Sequence, residues 1–475
     1  MSKNVKAIRR REENFSEWYS DLVLKGDLVN YGPVTGTMIL KPNGFALWKN
    51  IANALDTRFK EHDVQEVNMP LLIPMSLFNQ EKEHIAGFSP EVAIVTKVGD
   101  KELNDPLIIR PTSEILFAKY FSENINSYKE LPIKYNQWVN VVRWEKNPRP
   151  FLRTNEFLWH EGHSVHADDI SAQEFSFMMM NLYVNFFKDV LAIAVLYGKK
   201  SNHEKFAGAI NTYSLEALML DGQALQSATS HYLGQTFSVP FKINFTNINN
   251  KVEAAYQTSW GLSTRVIGAL VMSHGDNRGL VLPPLIAPIQ IVIIPIRSDL
   301  NISDGVNKVA TLLKDQYRIY IDNSNKTAGY KFSEHEMKGV PIRIEIGPKD
   351  IINQEVTVVI RDDLNNKFTV KIEELNSRIA TIIKEMQKNL YQRSLENLQA
   401  KCYNINTFSD YERELKNKKG FFGAWFCNRI SCEEEIKTLT TTVSRCQDLK
   451  KSPKDQKCFK CKMAAKGYFY FARAY

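Results

Sequence analysis

The stretch RWEKNPRPFLRTNEFLWHEGHSVH, residues 143–166, limits the fold of this chain more than any other. An Arg–x–Glu strand, VVRWE, runs into a loop with two prolines, and a second arginine follows in FLR. We predict a β-hairpin that places Arg143 and Arg153 on one side. Guanidinium groups match phosphate and carboxylate geometry, so this pair can hold an anionic group from both flanks. Phe157 could then offer an aromatic face on which a base stacks.

The histidines that follow this loop suggest a metal site as an alternative. However, WHEGHSVH contains a glycine and the β-branched Val165, which favour a strand over a helix. In a strand, His160 and His166 share one face, while His163 points to the other. The pattern therefore argues against one three-histidine metal site and favours a polar strand that lines a pocket.

The size and composition of the chain are those of a multidomain globular protein. At 475 residues it is too long for one core. The longest apolar runs, such as IQIVIIPI, are far shorter than the ~20 residues of a membrane helix. The start, MSKNVKAIRRREENFSEW, has no apolar centre, so we expect no secretory signal and a cytoplasmic location. The net charge of +8 suits a polyanionic partner, although solubility would explain it as well.

Three regions follow one another along the chain. Residues 1–285 mix helices and strands, with a helix that opens on Pro42 and a long helical run from Ala172 to the lysines of VLYGKK. Residues 286–390 alternate strands and helices, which is typical of a small α/β domain. Residues 391–475 hold the cysteine-rich tail.

All six cysteines lie after residue 400. In a reducing cytoplasm disulfides are not expected. Two close pairs have the spacing of a four-thiolate zinc site, namely Cys427, Cys432, Cys458 and Cys461. Scattered structural thiols are the alternative, and Cys402 and Cys446 are expected to be bystanders.

The hairpin resembles motif 2 of the class II aminoacyl-tRNA synthetases. Two further stretches resemble the other motifs of that family in the right order. VQEVNMPLLIP, which contains Pro70, resembles motif 1, and this motif builds the dimer interface in the family. SWGLSTRVIGALVMSHGDNRGLVLPP, with Gly261 and Arg265, resembles motif 3. Three motifs in order are much more specific than one.

Further signatures indicate the amino acid. RPTSE, RWE with PFLRTNEFLWHEGHS, QSATSHYLGQ and YQTSWGLSTR together resemble the prolyl-tRNA synthetase family in its eukaryote-like and archaeal-like form. The resemblance implies an α/β fold class with three parts: an α+β catalytic domain on an antiparallel sheet, an α/β anticodon-binding domain and a small zinc-binding C-terminal domain. It also implies a homodimer that uses ATP with Mg²⁺ to activate L-proline and then charges tRNA(Pro).

The resemblance carries residue roles onto this sequence. The expected catalytic residues are Arg143 and Arg265. The expected proline-binding residues are Thr112, Glu114, Arg143 and His231. The expected ATP-binding residues are Arg143, Glu145, Arg153, Thr154, Phe157, Gln226, Thr229, Ser263 and Arg265. The candidates for anticodon binding are Lys331, Arg343, Glu345 and Lys349.

Other functions remain open at this point. A catalytically inactive relative that only binds tRNA would be expected to lack one of the arginines or TSE, and all of them are present. The threonine enzyme holds its substrate through a zinc with a cysteine ligand, whereas no cysteine precedes Cys402 here. Bacterial-type prolyl enzymes carry an editing domain between motifs 2 and 3, and residues 167–225 are too few for such an insertion. We therefore expect no editing site.

Overall fold

The computed structural model describes residues 7–79, 92–297 and 300–475. The first six residues of the N-terminal segment, on which part of the secretory-signal prediction rests, lie outside this range. Among the described helices, none combines the length and apolar character that crossing a membrane requires.

The first region contains a mixture of helices and strands, as predicted. Its helices are α1 (Phe15–Lys25), α2 (Pro42–Lys60), α3 (Met75–Asn79), α4 (Glu114–Asn124), α5 (Asp169–Asp189), α6 (Ser238–Phe241) and α7 (Arg265–His274). Its strands are β1 (Val29–Tyr31), β2 (Met38–Leu40), β3 (Gln65–Glu66), β4 (Leu72–Pro74), β5 (Ile94–Val98), β6 (Lys101–Ile109), β7 (Ile133–Val142), β8 (Glu156–His166), β9 (Val195–Lys199), β10 (Asn211–Leu218), β11 (Ala224–Gly234), β12 (Asn244–Thr246), β13 (Val252–Ala254) and β14 (Tyr256–Ser263).

An antiparallel sheet forms the centre of this region. Its strands lie in the order β9-β10-β11-β14-β8-β7, and β3 adds to the edge in parallel with β7. Helices α2 and α5 bury apolar side chains in the core cluster that covers one face of the sheet. The sequence-based fold class, an α/β chain with an antiparallel catalytic sheet, is confirmed.

Helix α2 shows how closely local signals fix some boundaries. It begins at Pro42, as predicted, because a proline at the first helical position lacks only an N–H that would have no helical partner there. Its buried side chains include Leu47, Ile51 and Leu55, which recur at helical spacing.

One predicted element was wrong in length. The helical run from Ala172 ends at Asp189, and its remainder forms β9, where Leu196 pairs with Glu216. Ala192 has a φ of 55°, which interrupts the helix, and the apolar residues that follow gain a place in the sheet. The motif 1 stretch forms two strands, β3 and β4, separated by a segment that contains Pro70, whose missing N–H cannot join a ladder.

The second region confirms the predicted alternation. Its helices are α8 (Leu300–Leu313), α9 (Ala328–Met337) and α10 (Pro348–Ile352). Its strands are β15 (Ile291–Pro295), β16 (Ile319–Ile321), β17 (Ile342–Ile346), β18 (Glu355–Ile360) and β19 (Asp363–Lys371). The sheet order is β16-β15-β17-β18-β19, in which the first three strands are parallel and the last two antiparallel.

The third region extends the catalytic sheet. It contains α11 (Leu375–Ala400), α12 (Phe408–Asn417), α13 (Ile430–Thr440), β20 (Cys402–Asn404), β21 (Phe421–Phe426), β22 (Val443–Gln447) and β23 (Gly467–Ala472). The proposed boundary between residues 390 and 391 falls inside α11. Strand β22 joins β9 through the pair Gln447 and Lys199, so one continuous sheet of eleven strands links the first and third regions.

Candidate active site

The motif 2 stretch forms the predicted β-hairpin. Strands β7 and β8 pair in antiparallel register up to Val142 and Glu156, where the loop begins. At the base of the loop, the Arg143 N–H donates to the Asn155 carbonyl at 2.8 Å. The Arg143 guanidinium lies 4.9 Å from the centre of the Trp159 ring, and its Nε donates to the Pro111 carbonyl at 2.9 Å. The arginine is thereby held over the pocket face of β8.

A cavity of about 250 Å³ lies beside this arginine. It brings together six of the residues that the sequence assigned to proline or ATP, namely Thr112, Glu114, Arg143, Gln226, Thr229 and His231. The other lining residues are Trp159, Glu161, His163, Lys200, Glu204, Phe206, Thr212, Ser259, Trp260 and Gly261. Residues from α4, β8, β10, β11 and β14, which are far apart in the sequence, therefore meet in one place.

Two carboxylates with opposite pKa shifts line the cavity. Burial, reinforced by the nearby charge of Glu161, raises the pKa of Glu114 above its usual value. Burial would also raise the pKa of Glu161, but the His163 imidazole and hydrogen bonds from Ser113 and Gln137 hold that pKa below its usual value. Carboxyl groups whose environments separate their pKa values are typical of substrate sites.

A polar network on β10 and β11 forms a second wall of the cavity. The Thr212 hydroxyl lies 3.0 Å from His231 Nδ1 and also accepts the Phe206 N–H at 3.0 Å. The rings of Phe206 and His231 are 4.6 Å apart. Burial lowers the pKa of His231 to about 3, so this histidine is neutral near pH 7. The wall thus combines an apolar ring with an uncharged hydrogen-bonding group.

The histidines of β8 alternate between the two faces, as predicted. His160 lies 3.0 Å from the Asn136 side-chain oxygen and 2.5 Å from the Tyr183 hydroxyl of α5. His166 likewise lies 2.9 Å from the Ser171 hydroxyl on the α5 side. His163 points to the opposite face and stacks on Phe117 with ring centres 4.0 Å apart. The three imidazoles therefore do not face one another.

The remaining ATP candidates lie outside the lining of this cavity, and two of them, Ser263 and Arg265, belong to the motif 3 stretch. Burial, together with the charges of Arg153 and Arg143, lowers the pKa of Arg265 to about 10. The Arg265 side-chain Nε donates to the Leu152 carbonyl at 3.1 Å, and the Arg265 backbone N–H donates to the Ser263 hydroxyl at 3.2 Å. A group of like charges of this kind is stabilised by a bound polyanion.

Glu145, Thr154 and Phe157 lie along the motif 2 hairpin. The Glu145 N–H donates to the Asn155 side chain at 2.8 Å. The Phe157 ring is 6.1 Å from the Trp159 ring, edge to face. Thr154 lines a separate cavity of about 330 Å³ between this loop and the β1–β2 hairpin.

Four residues that line the main cavity have a buried polar atom without a hydrogen-bond partner within the described residues: Trp159 Nε1, His163 Nε2, Ser259 Oγ and Trp260 Nε1. Buried polar atoms are nearly always paired in folded proteins, because an unpaired one costs about 1–3 kcal/mol. Trp159 and Ser259 lie on the same face of the sheet as Glu161 and His163. The cavity is therefore built to receive a polar ligand.

Comparison with known proteins decides the family. Three family models match in order: the tRNA synthetase class II core domain (G, H, P, S and T) at residues 96–274, an anticodon binding domain at 290–382, and the prolyl-tRNA synthetase C-terminal domain at 408–475. The proline–tRNA ligase of Mycoplasma capricolum subsp. capricolum is 49% identical over the full length of both chains. The chain belongs to the prolyl-tRNA synthetase family.

Other members of the prolyl-tRNA synthetase family are similarly close. The proline–tRNA ligase of Mesoplasma florum is 46% identical over the full length of both chains. A crystal structure of the Cryptosporidium parvum prolyl-tRNA synthetase complexed with halofuginone and AMPPNP has a TM-score of 0.94 at 40% identity, and covers 99% of this chain and 97% of that one. A second structure of that protein, complexed with L-proline and AMP, has a TM-score of 0.91 at 38% identity, and covers 98% and 99%.

The candidates in the anticodon-binding domain of this family member differ in accessibility. Lys331 is buried and its Nζ donates to the Asp322 carbonyl at 2.7 Å. Arg343 Nε lies 3.0 Å from a carboxylate oxygen of Glu345, which is itself buried, and Lys349 is exposed. The four candidates therefore do not form one open surface of free charges.

The four cysteines of the prolyl-tRNA synthetase C-terminal domain converge. Their sulfur atoms all lie within 4.8 Å of one another, and Cys427 Sγ is 3.6 Å from Cys461 Sγ. Four thiolates at about 2.3 Å from a tetrahedral zinc would be separated by about 3.8 Å, so the donor set fits that ion. Cys402 and Cys446 lie outside this group.

Sequence reasoning missed several residues of the cavity, and Glu161 is the clearest example. It lies on β8 between His160 and His163, and the strand period already placed it on the pocket face with His163. Lys200 and Phe206 were missed for a different reason, because the helix predicted through residue 200 concealed the strand and loop that carry them.

Proposed function

We propose that the chain activates L-proline in the cavity between motifs 2 and 3 and then transfers it to tRNA(Pro). The chain is a proline–tRNA ligase of class II. The carboxylate of proline attacks the α-phosphate of ATP, pyrophosphate leaves, and prolyl-adenylate forms. The 3′-terminal ribose hydroxyl of the tRNA then attacks the acyl carbon, which releases AMP.

The convergence of Thr112, Glu114, Arg143 and His231 in one cavity carries this proposal. Arg143 binds the proline carboxylate and the α-phosphate, because its fork can hold an oxygen of each. The carboxylates of Glu114 and Glu161 accept the secondary ammonium group. His231, together with Phe206, faces the prolyl ring, and a neutral imidazole does not repel the ammonium.

The cationic group at the motif 3 side takes the nucleotide. Arg153 and Arg265 bind the γ-phosphate end, and Glu145 binds the amino group of adenine. Phe157 and Arg265 enclose the adenine ring from its two faces, while Thr154, Gln226, Thr229 and Ser263 line the nucleotide. Magnesium ions neutralise the phosphates when ATP is bound. In-line transfer needs positioning and charge stabilisation more than a strong base.

The division of labour follows three domains, residues 1–285, 286–390 and 391–475. The second of these binds the anticodon loop, whose unstacked bases can be read on their edges. Lys331, Arg343, Glu345 and Lys349 are its candidate contacts. The third binds one structural Zn²⁺ through Cys427, Cys432, Cys458 and Cys461.

The chain works in the cytoplasm as a homodimer formed through motif 1. Leu71 and Leu72, next to Pro70, are 40% and 41% exposed in the single chain, which suits residues that a second subunit covers. Analytical ultracentrifugation at assay concentration checks the oligomeric state. A fully active monomer would contradict the dimer.

ATP–pyrophosphate exchange against a panel of amino acids tests the reaction. We expect proline to support the fastest exchange by a wide margin. Exchange that depends on threonine, or exchange with none of the amino acids, would contradict the proposed function. The second outcome would instead support an inactive relative that only binds tRNA.

A further inference from the structure

The pocket wall is attached to the C-terminal domain by a buried group of three charges. Glu216 on β10 accepts from Lys200 Nζ at 3.1 Å through one carboxylate oxygen. Its other oxygen accepts from Arg445 Nε and Nη2 of β22 at 2.9 and 2.7 Å. The exposed fractions of Lys200, Glu216 and Arg445 are 3%, 0% and 6%. Burying three charges is costly, and removing one partner of such a group leaves an uncompensated charge inside the protein.

Lys200 connects this group to the cavity. It lines the cavity, and its N–H donates to the Thr212 carbonyl at 2.7 Å. The Thr212 side chain in turn holds His231 and Phe206, the two groups assigned to the prolyl ring. An unbroken chain of contacts therefore leads from Arg445 through Glu216 and Lys200 to the ring-binding wall.

The backbone around this point leaves little room for movement. A Cβ at Gly198 would lie 1.8 Å from the Gln447 carbonyl oxygen, so β9 and β22 approach each other as only glycine permits. On the far side of Lys200, the Asn202 N–H donates to the Asn428 side-chain oxygen at 2.9 Å. The chain is thus anchored to the C-terminal domain on both sides of Lys200, just before the segment that carries Glu204 and Phe206 to the cavity.

We propose that Arg445 of the C-terminal domain is a positioning residue of the proline pocket, which acts through Glu216 to hold Lys200 in the pocket wall. This inference rests on the proposed function. Without Arg445, one oxygen of Glu216 loses both of its donors inside the protein, so the carboxylate turns and Lys200 is no longer fixed. The proline site is then looser, whereas Arg265, which binds the γ-phosphate end, is held through Leu152 of the motif 2 loop and keeps its position.

The charge balance suggests which variants fold. Arg445→Met leaves the neutral pair Lys200 and Glu216, and Lys200→Met leaves the neutral pair Glu216 and Arg445. Glu216→Gln would instead leave two buried cations together, so it is a poorer test. Arg413→Met is the matched control, because Arg413 lies in the same domain but is exposed and paired with Asp410 at the surface.

The test measures KM for proline and for ATP, together with kcat, in ATP–pyrophosphate exchange. We expect Arg445→Met to raise the KM for proline about tenfold, the effect of losing hydrogen bonds to a buried charge. The KM for ATP should change less than about twofold, and Arg445→Lys should restore part of the proline affinity. Arg413→Met should leave all three constants unchanged.

A combined variant separates positioning from a general loss of stability. In a Lys200→Met background, Arg445→Met together with Glu216→Gln leaves no unpaired buried charge and should add less than about twofold to the KM for proline, because the connection is already broken. The inference would be overturned if the loss of Arg445 raised the KM for proline by the same factor in both backgrounds. An unchanged KM for proline in Arg445→Met, or equal rises in the KM for proline and the KM for ATP, would also overturn it. If Arg445→Met does not fold, Arg445→Lys provides the same comparison. Absence of proline-dependent exchange in the unmodified chain would instead overturn the proposed function.

Discussion

The cavity beside Arg143 and the anticodon-binding domain satisfy their buried polar groups differently. In the cavity, Trp159 Nε1 and Ser259 Oγ are buried and have no partner among the described residues. In the anticodon-binding domain, His335 Nδ1 is also unpaired, but the charged candidates are paired: Lys331 donates to the Asp322 carbonyl, and Glu345 is paired with both Arg343 and Lys367. The cavity therefore contains buried polar atoms without a partner, whereas these charged groups of the anticodon-binding domain are paired within the domain.

This difference shows what structure adds to a family resemblance. An unpaired buried group is costly, so it marks a position where a ligand supplies the missing partner. A paired charged group is already explained by its partner inside the protein. Its contact with RNA therefore does not follow from the structure and has to be measured. The following experiments probe the two regions, from the largest expected effect to the smallest.

Replacing Arg143 should have the largest effect. Arg143→Met removes the cation that faces both the proline carboxylate and the α-phosphate, so kcat for ATP–pyrophosphate exchange should fall about 10³-fold. Arg58→Met is the control, since Arg58 contacts Asp189 and Phe186 away from the cavity. Near-normal exchange by a folded Arg143→Met variant would show that the cavity is not the site of activation.

Breaking the four-cysteine group should affect stability before chemistry. The double variant Cys427→Ser, Cys432→Ser should lose bound zinc and lower the thermal midpoint by about 5 °C or more, because a structural ion contributes to folding directly. The affinity for ATP should stay the same. Cys402→Ser, outside the group, should retain the metal. Loss of adenylation in a double variant of unchanged stability would contradict a structural role.

Glu345→Ala tests the paired charges of the anticodon-binding domain. Removing this carboxylate leaves Lys367 without its partner and leaves Arg343 with Glu336 alone, so the local charge becomes more positive and attracts any anticodon loop. We expect discrimination among anticodon variants of the tRNA to weaken about tenfold in aminoacylation assays. If charging of all variants fell equally, Glu345 would have no part in reading bases.

Lys349→Ala should have a smaller effect on the same interaction. Lys349 is exposed, and an exposed lysine on a phosphate adds to affinity without adding to specificity. The slope of log K against log salt concentration should become shallower by about 0.7, the value for one phosphate contact on a single strand. Lys338, which is paired with Glu334, offers a control substitution that should leave the slope unchanged.

The smallest expected effect concerns misacylated tRNA. Between the motif 2 hairpin and β11, the chain forms α5, β9 and β10 of the catalytic domain itself. Alanine is smaller than proline, and binding alone discriminates by only ~1–3 kcal/mol per methylene, so the enzyme should activate alanine detectably. Ala-tRNA with the proline anticodon should decay at the same rate with and without the enzyme. Rapid enzyme-dependent deacylation would reveal an editing site.

Local signals in the sequence predicted part of this structure directly. Pro42 opens a helix, the strand period separates His163 from His160, and two cysteine pairs meet in one cluster. In each case the feature depends either on interactions between residues that are close in the sequence or on the chemistry of one type of side chain. Motif resemblance then supplied the cavity residues, and six of them line one space.

The remaining features depend on contacts that no local pattern encodes. The helix expected through Lys200 ends at Asp189, because pairing with β10 and β22 draws the following residues into the sheet. The same error hid Lys200 and its partner Arg445, which are brought together only by the fold. Pairing of Glu345 inside its own domain was equally invisible in the sequence.

A crystal structure of the chain with L-proline and a non-hydrolysable ATP analogue tests the central claim most directly. The prolyl ring should lie against Phe206 and His231, its carboxylate should contact Arg143, and the bound ligands or waters that they order should supply partners for Trp159 Nε1 and Ser259 Oγ. Proline bound elsewhere, or bound in this cavity with both atoms still unpaired, would contradict the account.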